Sequence, residues 1–299
     1  MDRFDAMTAF VAVADLSGFA PAARRLGLSP SAVTRLIAAL EEQLATRLLQ
    51  RTTRSVALTD AGARYLERAR RILADIEEAE RSAQAEHTAP TGRLVVTAPN
   101  LFGRRNVAPL MSAYLERYPD VVGELTLSDR NVNLVEDGID VAVRIGMLSD
   151  SSLHIRKVGE TRRVVVAAPG YLARHAPLRT PEDLAEHKVV QFTGLHSTPE
   201  WRFFVDDQPR LIALSPGLIS NSADVAISHA ERGGGLTMVL AYQVAESVQS
   251  GRLEIVLSAF EPPPLPIHLV YPTTRLLSAK VRAFVDLTLE TCEWQFVRL

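Results

Sequence analysis

Hydrophobic positions near the N-terminus recur at helical spacing on both sides of a tight turn. The run from Phe19 ends at Gly27, a residue free to adopt positive φ, and Ser29 and Pro30 then suit the N-cap and first helical position. After Pro30 the apolar residues form one helical face: Val33, Leu36, Ile37 and Leu40. The pattern predicts two short helices joined by a turn, the second beginning near Pro30.

The opposite face of the second predicted helix carries small polar and basic side chains. In a helix-turn-helix, residues at this end of the second helix enter the DNA major groove. The candidate DNA-binding residues here are Ser29, Pro30, Ser31, Ala32, Thr34 and Arg35. An ordinary amphipathic helix pair in an all-α protein would give a similar pattern, so this segment alone leaves that alternative open.

The next segment predicts a winged hairpin. An apolar pair that begins at Leu48 is followed by polar and basic residues and by a short strand-like run at 56–58, with Arg51 and Arg54 at the tip. Between positions 20 and 56 the sequence has six Arg and two Glu, although the whole chain has a net charge of −2. This local excess favours a DNA-contacting face on a larger body, with phosphate or minor-groove contacts from the tip. A merely solvated arginine face is the alternative.

A long helix is predicted from the N-cap Thr59 to about Glu86, with Asp60 in its first turn. Its apolar positions alternate at spacings of four and three: Tyr65, Ala69, Ile72, Ile76, Ala79 and Ala83. Such a stripe favours pairing with a second copy of the helix, because two-fold pairing doubles a short DNA site. Packing of the stripe on its own domain is the alternative. Residues 87–92 contain Pro90 and Gly92 and predict a linker.

Beyond the linker the pattern changes to alternating short apolar strands and helices, which indicates an α/β region. The predicted strands are 93–98, 124–127, 140–145, 163–168, 189–192, 236–240 and 267–271. The predicted helices are 102–118, 132–137, 223–232, 242–249 and 278–292. The proline-rich stretch 261–266 predicts a rigid, extended connector between lobes.

Length and composition fit two or three domains, since the chain has 299 residues and 47% hydrophobic content. No apolar stretch approaches the roughly 18 to 20 residues of a membrane span. The first five residues lack the charge and apolar core of a signal peptide, so we expect a cytoplasmic location and no membrane contact. The lone Cys292 fits a reducing compartment and reads as an ordinary core or surface residue.

The sequence predicts no catalytic site, no cofactor and no metal site. It contains neither a Gly-x-Ser-x-Gly elbow nor a His-Glu-x-x-His motif, and its seven His lack metal-ligand spacing. The Gly233-Gly-Gly235 run lacks the framing of a phosphate-binding loop and predicts a helix-to-strand turn. An enzyme fused to a DNA-binding head is therefore disfavoured, and an exported solute receptor conflicts with the N-terminus.

Taken together, residues 4 to 86 resemble the winged helix-turn-helix and linker helix of LysR-type transcriptional regulators. The match lies in Phe19-Ala-x-Ala-Ala-x-x-Leu, Leu28-Ser-Pro-Ser-Ala-Val-Thr-Arg, Leu40-Glu-Glu-x-Leu, Leu48-Leu-x-Arg-Thr-Thr-Arg and Leu58-Thr-Asp-Ala-Gly62. The remainder resembles the effector-binding region of the same family, especially over 128–146 and 148–153. The resemblance covers essentially the whole chain.

This resemblance implies an α/β protein with an N-terminal all-α winged helix-turn-helix, a long linker helix and a two-lobed effector domain like a periplasmic solute-binding protein. The expected domains are 1–58 for DNA binding, 59–86 for the linker and dimerisation helix, 87–92 for a hinge and 93–299 for effector binding. Within the last, lobe I would comprise 93–159 and 267–299, and lobe II 160–266.

A small-molecule effector, expected to be a small organic anion, would bind between the lobes, where helix N-termini offer N–H groups. By position in the matching pattern, the candidate effector-binding residues are Asn100, Phe102, Ser128, Arg144, Thr193, Asn221 and Ser222. Each has a plainer alternative, because Asn100, Asn221 and Ser222 suit caps or turns, Phe102 suits the core, and Arg144 suits an ion pair with Asp140 or Glu136.

The resemblance also implies double-stranded promoter DNA as partner and a homodimer through residues 59–86, with pairing of dimers into a homotetramer expected and the choice between dimer and tetramer left open by the sequence. It leaves RNA polymerase open as a further partner. A constitutive repressor without an effector is the main alternative, and a polar, water-accessible cleft would favour ligand sensing over it.

Overall fold

A computed structural model describes residues 2–51, 56–84, 89–130, 132–148, 153–195, 198–272 and 278–298, without the side chains of 51, 74, 75 and 77–84. The contacts divide the chain into two compact units, Met1–Thr88 and Ala89–Leu299. The first is a helical unit with a small hairpin, and the second is an α/β unit built on two main sheets.

The N-terminal unit contains α1 (Arg3–Asp15), α2 (Phe19–Leu26), α3 (Pro30–Gln43), β1 (Leu49–Arg51), β2 (Val56–Leu58) and α4 (Asp60–Gln84). The predicted turn between the two short helices is confirmed, because Gly27 has a φ of +66° and ends α2. The backbone N–H of Ala32 donates to the Ser29 hydroxyl, so Ser29 caps α3 as its sequence position indicated.

The core of the N-terminal unit forms between α1, α2 and the apolar face of α3. Val33, Ile37 and Leu40 are buried, and Leu36 packs against them. The first part of α4 joins this core, since Ala69 is fully buried and the Tyr65 ring lies edge-on to Phe10 with centroids 5.6 Å apart. The first third of the predicted dimer stripe therefore packs on its own domain.

Beyond Ala69 the stripe emerges from the unit, because Ile72 is 44% exposed. The side chains of Ala79 and Ala83, and the predicted helix end near Glu86, lie outside the described residues.

The first main sheet of the C-terminal unit has the strand order β15-β6-β14-β5-β3-β4. Its strands are β3 (Gly92–Ala98), β4 (Val121–Leu127), β5 (Val141–Ile145), β6 (Leu153–Thr161), β14 (Leu265–Pro272) and β15 (Trp294–Phe296). The strands β4, β3 and β5 are parallel, whereas β14 runs antiparallel to both β5 and β6. We call this sheet and its helices lobe I.

The second main sheet has the order β11-β8-β12-β7-β13 and forms lobe II. Its strands are β7 (Arg163–Ala167), β8 (Val189–Phe192), β11 (Pro216–Ser220), β12 (Leu236–Leu240) and β13 (Glu254–Val256). A separate antiparallel hairpin consists of β9 (Glu200–Val205) and β10 (Gln208–Ala213). The chain passes from lobe I to lobe II between β6 and β7 and returns through the proline-rich stretch 261–266, whose last two residues already belong to β14.

Helices of the C-terminal unit cover both sheets. In lobe I, α5 (Asn100–Phe102), a π-helical turn (Gly103–Val107) and α6 (Ala108–Arg117) follow one another directly, and α10 (Ala279–Thr291) packs on α6. In lobe II they are α7 (Pro169–Leu172), α8 (Ala223–Glu231) and α9 (Ala241–Gln249), with short 3₁₀ turns at Pro181–Glu186 and Ser258–Phe260. Gly233-Gly-Gly235 makes the expected turn between α8 and β12.

One predicted helix is wrong. Residues 134–138 form only a turn, in which the Asn133 side chain accepts from the N–H groups of Val135 and Glu136 and Gly138 has a φ of +64°. A cap at one end and a left-handed glycine at the other leave room for a single turn, although the apolar spacing suited a helix. The sequence also missed β6, β9, β10, β11, β13 and β15.

None of the helices among the described residues has both the length and the apolar character required to cross a membrane.

Candidate nucleic-acid interface and interlobe cleft

The N-terminal end of α3 presents a compact polar surface. Ser29 Oγ accepts from the backbone N–H of Ala32 at 3.2 Å and lies 3.0 Å from Ser31 Oγ. The Thr34 hydroxyl donates to the Pro30 carbonyl at 2.9 Å. These contacts fix the short side chains, so the surface is preorganised for a partner.

Arg35 extends from the same face. Its side chain is exposed, and it makes no ion pair with any residue that the structure describes. Together with Asp5, Leu28 and other residues of α1 to α3, it lines a surface depression of about 540 Å³. An unpaired guanidinium on an exposed helix face is suited to a phosphate or a base edge.

Glu41, which the sequence interpretation had counted only as a negative charge, connects α3 to the wing. Its carboxylate accepts from the backbone N–H groups of Leu48 at 2.7 Å and Leu49 at 3.0 Å. Both leucines are buried, so the carboxylate satisfies donors that water does not reach. Glu41 therefore fixes the start of β1 relative to α3.

Thr59 and Gly62 connect the wing to α4. The Thr59 hydroxyl donates to the Arg47 carbonyl at 2.8 Å and accepts from the Gly62 N–H at 2.9 Å. Gly62 permits a close approach, because a Cβ there would lie 2.0 Å from the Leu48 carbonyl oxygen. The sequence match Leu58-Thr-Asp-Ala-Gly62 thus forms the junction between hairpin and linker helix.

The wing itself is described only at its base. β1 and β2 pair antiparallel with Arg51 opposite Val56, as predicted. The Arg51 side chain and all of Arg54 lie outside the described residues, so their DNA contacts stay predictions.

Asp15, the last residue of α1, makes ion pairs with two arginines of neighbouring helices. Its carboxylate is paired with Arg70 of α4 and lies 3.9 Å from a guanidinium nitrogen of Arg25 in α2. A carboxylate at a helix C-terminus is unfavourable beside the helix dipole, and the two cations offset this cost. The pair joins the linker helix to the helix-turn-helix beyond their shared apolar core.

In lobe I, Asn100 and Ser128 lie at the same edge of the sheet. The Asn100 backbone N–H and side-chain amide donate to the two Asp129 carboxylate oxygens at 2.9 and 2.7 Å. Ser128 Oγ accepts from the Arg130 N–H at 3.1 Å. Asp129 was missed by sequence reasoning, although its place directly after a parallel strand indicated this edge.

Arg144 and Phe102 are held within the protein. The Arg144 guanidinium donates to the carbonyls of Arg130 at 3.3 Å and Val132 at 3.2 Å, and burial lowers its pKa. The Phe102 ring is fully buried against the rings of Tyr242 and Trp294, with centroids 5.1 and 4.9 Å away. Phe102 therefore offers no surface to a ligand in this conformation.

In lobe II, the other candidates also meet at one edge. The Thr193 N–H donates to the Ser220 carbonyl at 2.9 Å, which brings β8 beside the segment that holds Asn221 and Ser222. Ser222 Oγ accepts from the Val225 N–H at 3.4 Å and caps α8, whereas Asn221 is exposed. These side chains lie at the carboxyl ends of parallel strands, where α/β proteins bind ligands.

The two lobes contact each other through the π-helical turn. Arg104 Nη2 is 3.1 and 3.2 Å from the two Asp224 carboxylate oxygens in α8, and Arg105 donates to the carbonyls of Tyr242 and Gln243 in α9. Burial, and secondarily the Asp129 charge, raise the pKa of Tyr242 well above its usual range. The hydroxyl is therefore neutral. Sequence reasoning had not used Arg104 or Arg105, whose signal was two cations near a helix N-terminus.

The remaining candidates for chemistry are a metal site and the thiol of Cys292. The described residues contain no group of three or more His, Cys, Asp or Glu that could hold a metal ion. Cys292 is half-buried at the end of α10, and burial raises the pKa of its thiol, which disfavours a reactive thiolate.

Two family models together match almost the whole chain. Residues 4–63 match the bacterial regulatory helix-turn-helix protein model of the lysR family, and residues 87–293 match the LysR substrate binding domain. The chain is 35% identical over 292 residues to an HTH-type transcriptional repressor of Pseudomonas aeruginosa, covering 97% of this chain and 92% of that protein. It is 33% identical to the HTH-type transcriptional regulator CrgA of Neisseria meningitidis serogroup B, with 95% of each chain covered.

Solved structures give the same result. The structure of CrgA, a LysR-type transcriptional regulator, matches with 33% identity, a TM-score of 0.61 and coverage of 96% of this chain and 97% of the other. The full-length Vibrio cholerae virulence activator AphB matches with 27% identity, a TM-score of 0.62 and coverage of 97% and 99%. The chain therefore belongs to the LysR family of DNA-binding transcriptional regulators, with an N-terminal helix-turn-helix domain and a two-lobed substrate-binding domain.

Proposed function

We propose that this regulator recognises promoter DNA with the N-terminal end of α3 in the major groove. The observation that carries the proposal is the exposed face of α3, on which Arg35 has no ion-pair partner among the described residues while Ser29, Ser31 and Thr34 are fixed beside it. Pro30 and Ala32 complete that surface. Arg51 and Arg54 of the wing contact phosphates or the minor groove, and they contribute affinity that falls with added salt.

We further propose that the protein binds DNA as a homodimer through residues 59–86, and that dimers pair into a tetramer. The exposed Ile72 supports a partner contact for the part of α4 that leaves its own core. The same proposal assigns DNA binding to 1–58, the linker and dimerisation helix to 59–86, the hinge to 87–92 and effector binding to 93–299, with lobe II at 160–266. In this proposal the protein binds the chromosome in the cytoplasm, with RNA polymerase as a further candidate partner. It acts as a regulator and not as an enzyme.

In this proposal a small organic anion binds between the lobes and modulates DNA binding. The support is a set of polar side chains at facing edges of the two lobes: Asn100, Ser128, Arg144, Thr193, Asn221 and Ser222. Phe102 contributes by holding the lobes together rather than by touching the ligand. Because Asp129 already accepts from the Asn100 N–H, a ligand carboxylate would have to displace it there.

The DNA proposal is tested by selecting bound fragments from genomic DNA with the purified protein and then comparing Arg35→Ala on operator and random DNA. Symmetric sites with half-sites about one helical turn apart are expected. Arg35→Ala should reduce the preference for operator by about 1–3 kcal/mol. The control Arg210→Ala removes the same charge from the exposed strand β10 and should leave the preference unchanged. Equal weakening on both DNAs by Arg35→Ala would contradict a base-reading role.

The effector proposal is tested through Trp201 and Trp294, which are buried in the C-terminal unit. Thermal unfolding followed by their fluorescence should shift upward in the presence of the right member of a panel of small carboxylates. Asn221→Ala should reduce that shift. An absence of any shift across the panel would favour a regulator that works without an anionic effector.

A further inference from the structure

The π-helical turn at Gly103–Val107 supplies polar contacts between the lobes, beside the aromatic contacts of Phe102 and Phe296 with Tyr242. This turn interrupts an otherwise continuous helix that runs from α5 into α6. Its two arginines both reach lobe II: Arg104 contacts the Asp224 carboxylate, and Arg105 contacts the first turn of α9. π-helical turns occur frequently at functional sites, where they redirect side chains.

The charges of Arg104 and Asp224 stabilise each other only when the two lobes are in contact. Arg104 lies near the N-terminus of its helix, where the dipole disfavours a cation, so it gains from an anion supplied from elsewhere. Asp224 lies in the first turn of α8, where the dipole favours a carboxylate, and the Ser222 hydroxyl caps the same helix end. Asp224 therefore suits both of the helix N-termini that meet at this contact, whereas Arg104 is favoured there by the Asp224 carboxylate.

Each partner of the pair follows a candidate effector-binding residue of its own lobe. Arg104 comes one helical turn after Asn100, and Asp224 follows Ser222 in the first turn of α8. The two carboxylate oxygens of Asp224 lie 3.1 and 3.2 Å from one guanidinium nitrogen, so lobe II is held at a defined distance from lobe I.

We propose that Arg104 and Asp224 form an interlobe ion pair that positions lobe II against lobe I and sets how readily the lobes part. The side chains of Arg104 and Asp224 are 61% and 54% exposed, so water and salt weaken their attraction. The pair consequently shifts the equilibrium between joined and parted lobes several-fold and leaves both states accessible. Both residues act through position, and neither needs to touch a ligand.

The experiment measures the distance between the lobes in the full-length protein without DNA. Spin labels are attached through Glu116→Cys on α6 and Gln249→Cys on α9, both exposed, in a chain that carries Cys292→Ser. Double electron–electron resonance then gives the distance distribution. Arg104→Asp should increase the population at longer distances several-fold, and Asp224→Arg should do the same.

Charge reversal of both residues tests whether the contact itself is responsible. The double variant Arg104→Asp, Asp224→Arg should return the distribution to that of the parent, which also shows that the variants fold. Arg93→Asp is the matched control, because Arg93 pairs with Glu124 inside lobe I on β3 and β4. It removes an exposed ion pair of the same kind and should not change the interlobe distance.

Salt provides a second readout. Raising the ionic strength should broaden the parent distribution and leave the neutral double variant Arg104→Gln, Asp224→Asn unaffected. An unchanged distribution in both single variants, or a double reversal that fails to restore it, would overturn the proposal. The measurement uses no operator and no effector, so its outcome is independent of the proposed function.

Discussion

The two units of this protein differ in whether their candidate functional side chains already have partners within the protein. On the N-terminal unit, Arg35 is exposed and makes no ion pair with a described residue. In the C-terminal unit, two of the candidate ligand-binding residues already have hydrogen-bond partners within their own lobe: Asn100 donates to Asp129, and Ser222 accepts from the Val225 N–H at the start of α8. A partner therefore adds contacts to the first unit, whereas a ligand must exchange contacts within the second.

This difference matches the two tasks. DNA is a rigid polyanion, and a fixed cationic surface gains from it without rearrangement. A switch requires two arrangements of similar free energy, and the contact of Arg104 with Asp224 between the lobes belongs to one of them. The N-terminal unit should therefore respond to changes at its rigid junctions, and the C-terminal unit to changes in protonation or in interlobe contacts.

The largest expected effect comes from Gly62→Ala at the junction of wing and α4. A Cβ would lie 2.0 Å from the Leu48 carbonyl oxygen, which is backbone and has to shift. We expect the N-terminal unit to lose about 1–3 kcal/mol of unfolding free energy, even though alanine favours a helix. Urea unfolding by circular dichroism measures the loss.

Gly170→Ala, in α7 of the C-terminal unit, is the matched control, because a Cβ there meets no atom within 4 Å. It should be neutral or slightly stabilising, and the tryptophan fluorescence of the Gly62→Ala protein should be unchanged. A stable Gly62→Ala variant with normal DNA affinity would show that the junction is less rigid than its geometry indicates.

Next in size is Glu41→Ala, which removes the acceptor for two buried N–H groups at the start of β1. The expected loss of unfolding free energy is about 2 kcal/mol, because each unsatisfied buried donor is costly. Glu41→Gln keeps one acceptor oxygen and should lose less. Glu42→Ala removes an exposed carboxylate one position along and should lose almost nothing. If Glu41→Ala and Glu42→Ala have equal stability, the carboxylate does not fix the wing.

Lowering the pH should destabilise the C-terminal unit more than the N-terminal unit. The buried His187 ring has Nδ1 3.3 Å from the Tyr171 hydroxyl, and burial together with the nearby His175 lowers its pKa. Burial also lowers the pKa of His268. The unfolded chain therefore takes up these protons first as the pH falls below about 6.5, so the C-terminal unit loses stability there.

Tryptophan fluorescence during urea unfolding measures this effect, since Trp201 and Trp294 both lie in the C-terminal unit. His187→Gln should reduce the decline in stability between about pH 7.5 and about pH 5.5. The sequence of the N-terminal unit has a single histidine, His87, which lies outside the described residues next to the boundary of the unit, and we expect this unit not to share the decline. A decline of the same slope in His187→Gln would exclude this ring as its origin.

The sequence predicted the two units unequally, for physical reasons. The start of α3 was predicted correctly because Gly27, Ser29 and Pro30 act locally through backbone conformation and capping. The buried strands β8 and β12 were also found, because all of their residues but Gln191 and Thr237 are apolar. In contrast, β10 is mostly exposed and shows no alternation, so its pairing with β9 could not be inferred.

The interlobe contacts were beyond sequence reasoning for a different reason. Arg104 and Asp224 are 120 residues apart, and their meeting depends on how the lobes pack. The candidate residues of the cleft were located by resemblance, which marked their edges of the sheets. The resemblance did not indicate that the Asp129 carboxylate accepts a hydrogen bond from the Asn100 N–H or that the Phe102 ring is buried.

The smallest expected effect concerns Asp15, which pairs with Arg70 and joins the helix-turn-helix to α4. Because Asp15 and Arg70 are 28% and 54% exposed, Asp15→Asn should cost about 1 kcal/mol or less of unfolding free energy.

The same variant should have a larger effect on DNA binding. A less fixed angle between the helix-turn-helix and α4 allows a dimer to accept a wider range of half-site spacings. Affinities measured on operators with altered spacing should therefore converge, and the charge-swapped Asp15→Arg, Arg70→Asp protein should recover the preference for one spacing. A variant that weakens binding at every spacing alike would mean that the pair stabilises the unit without orienting it.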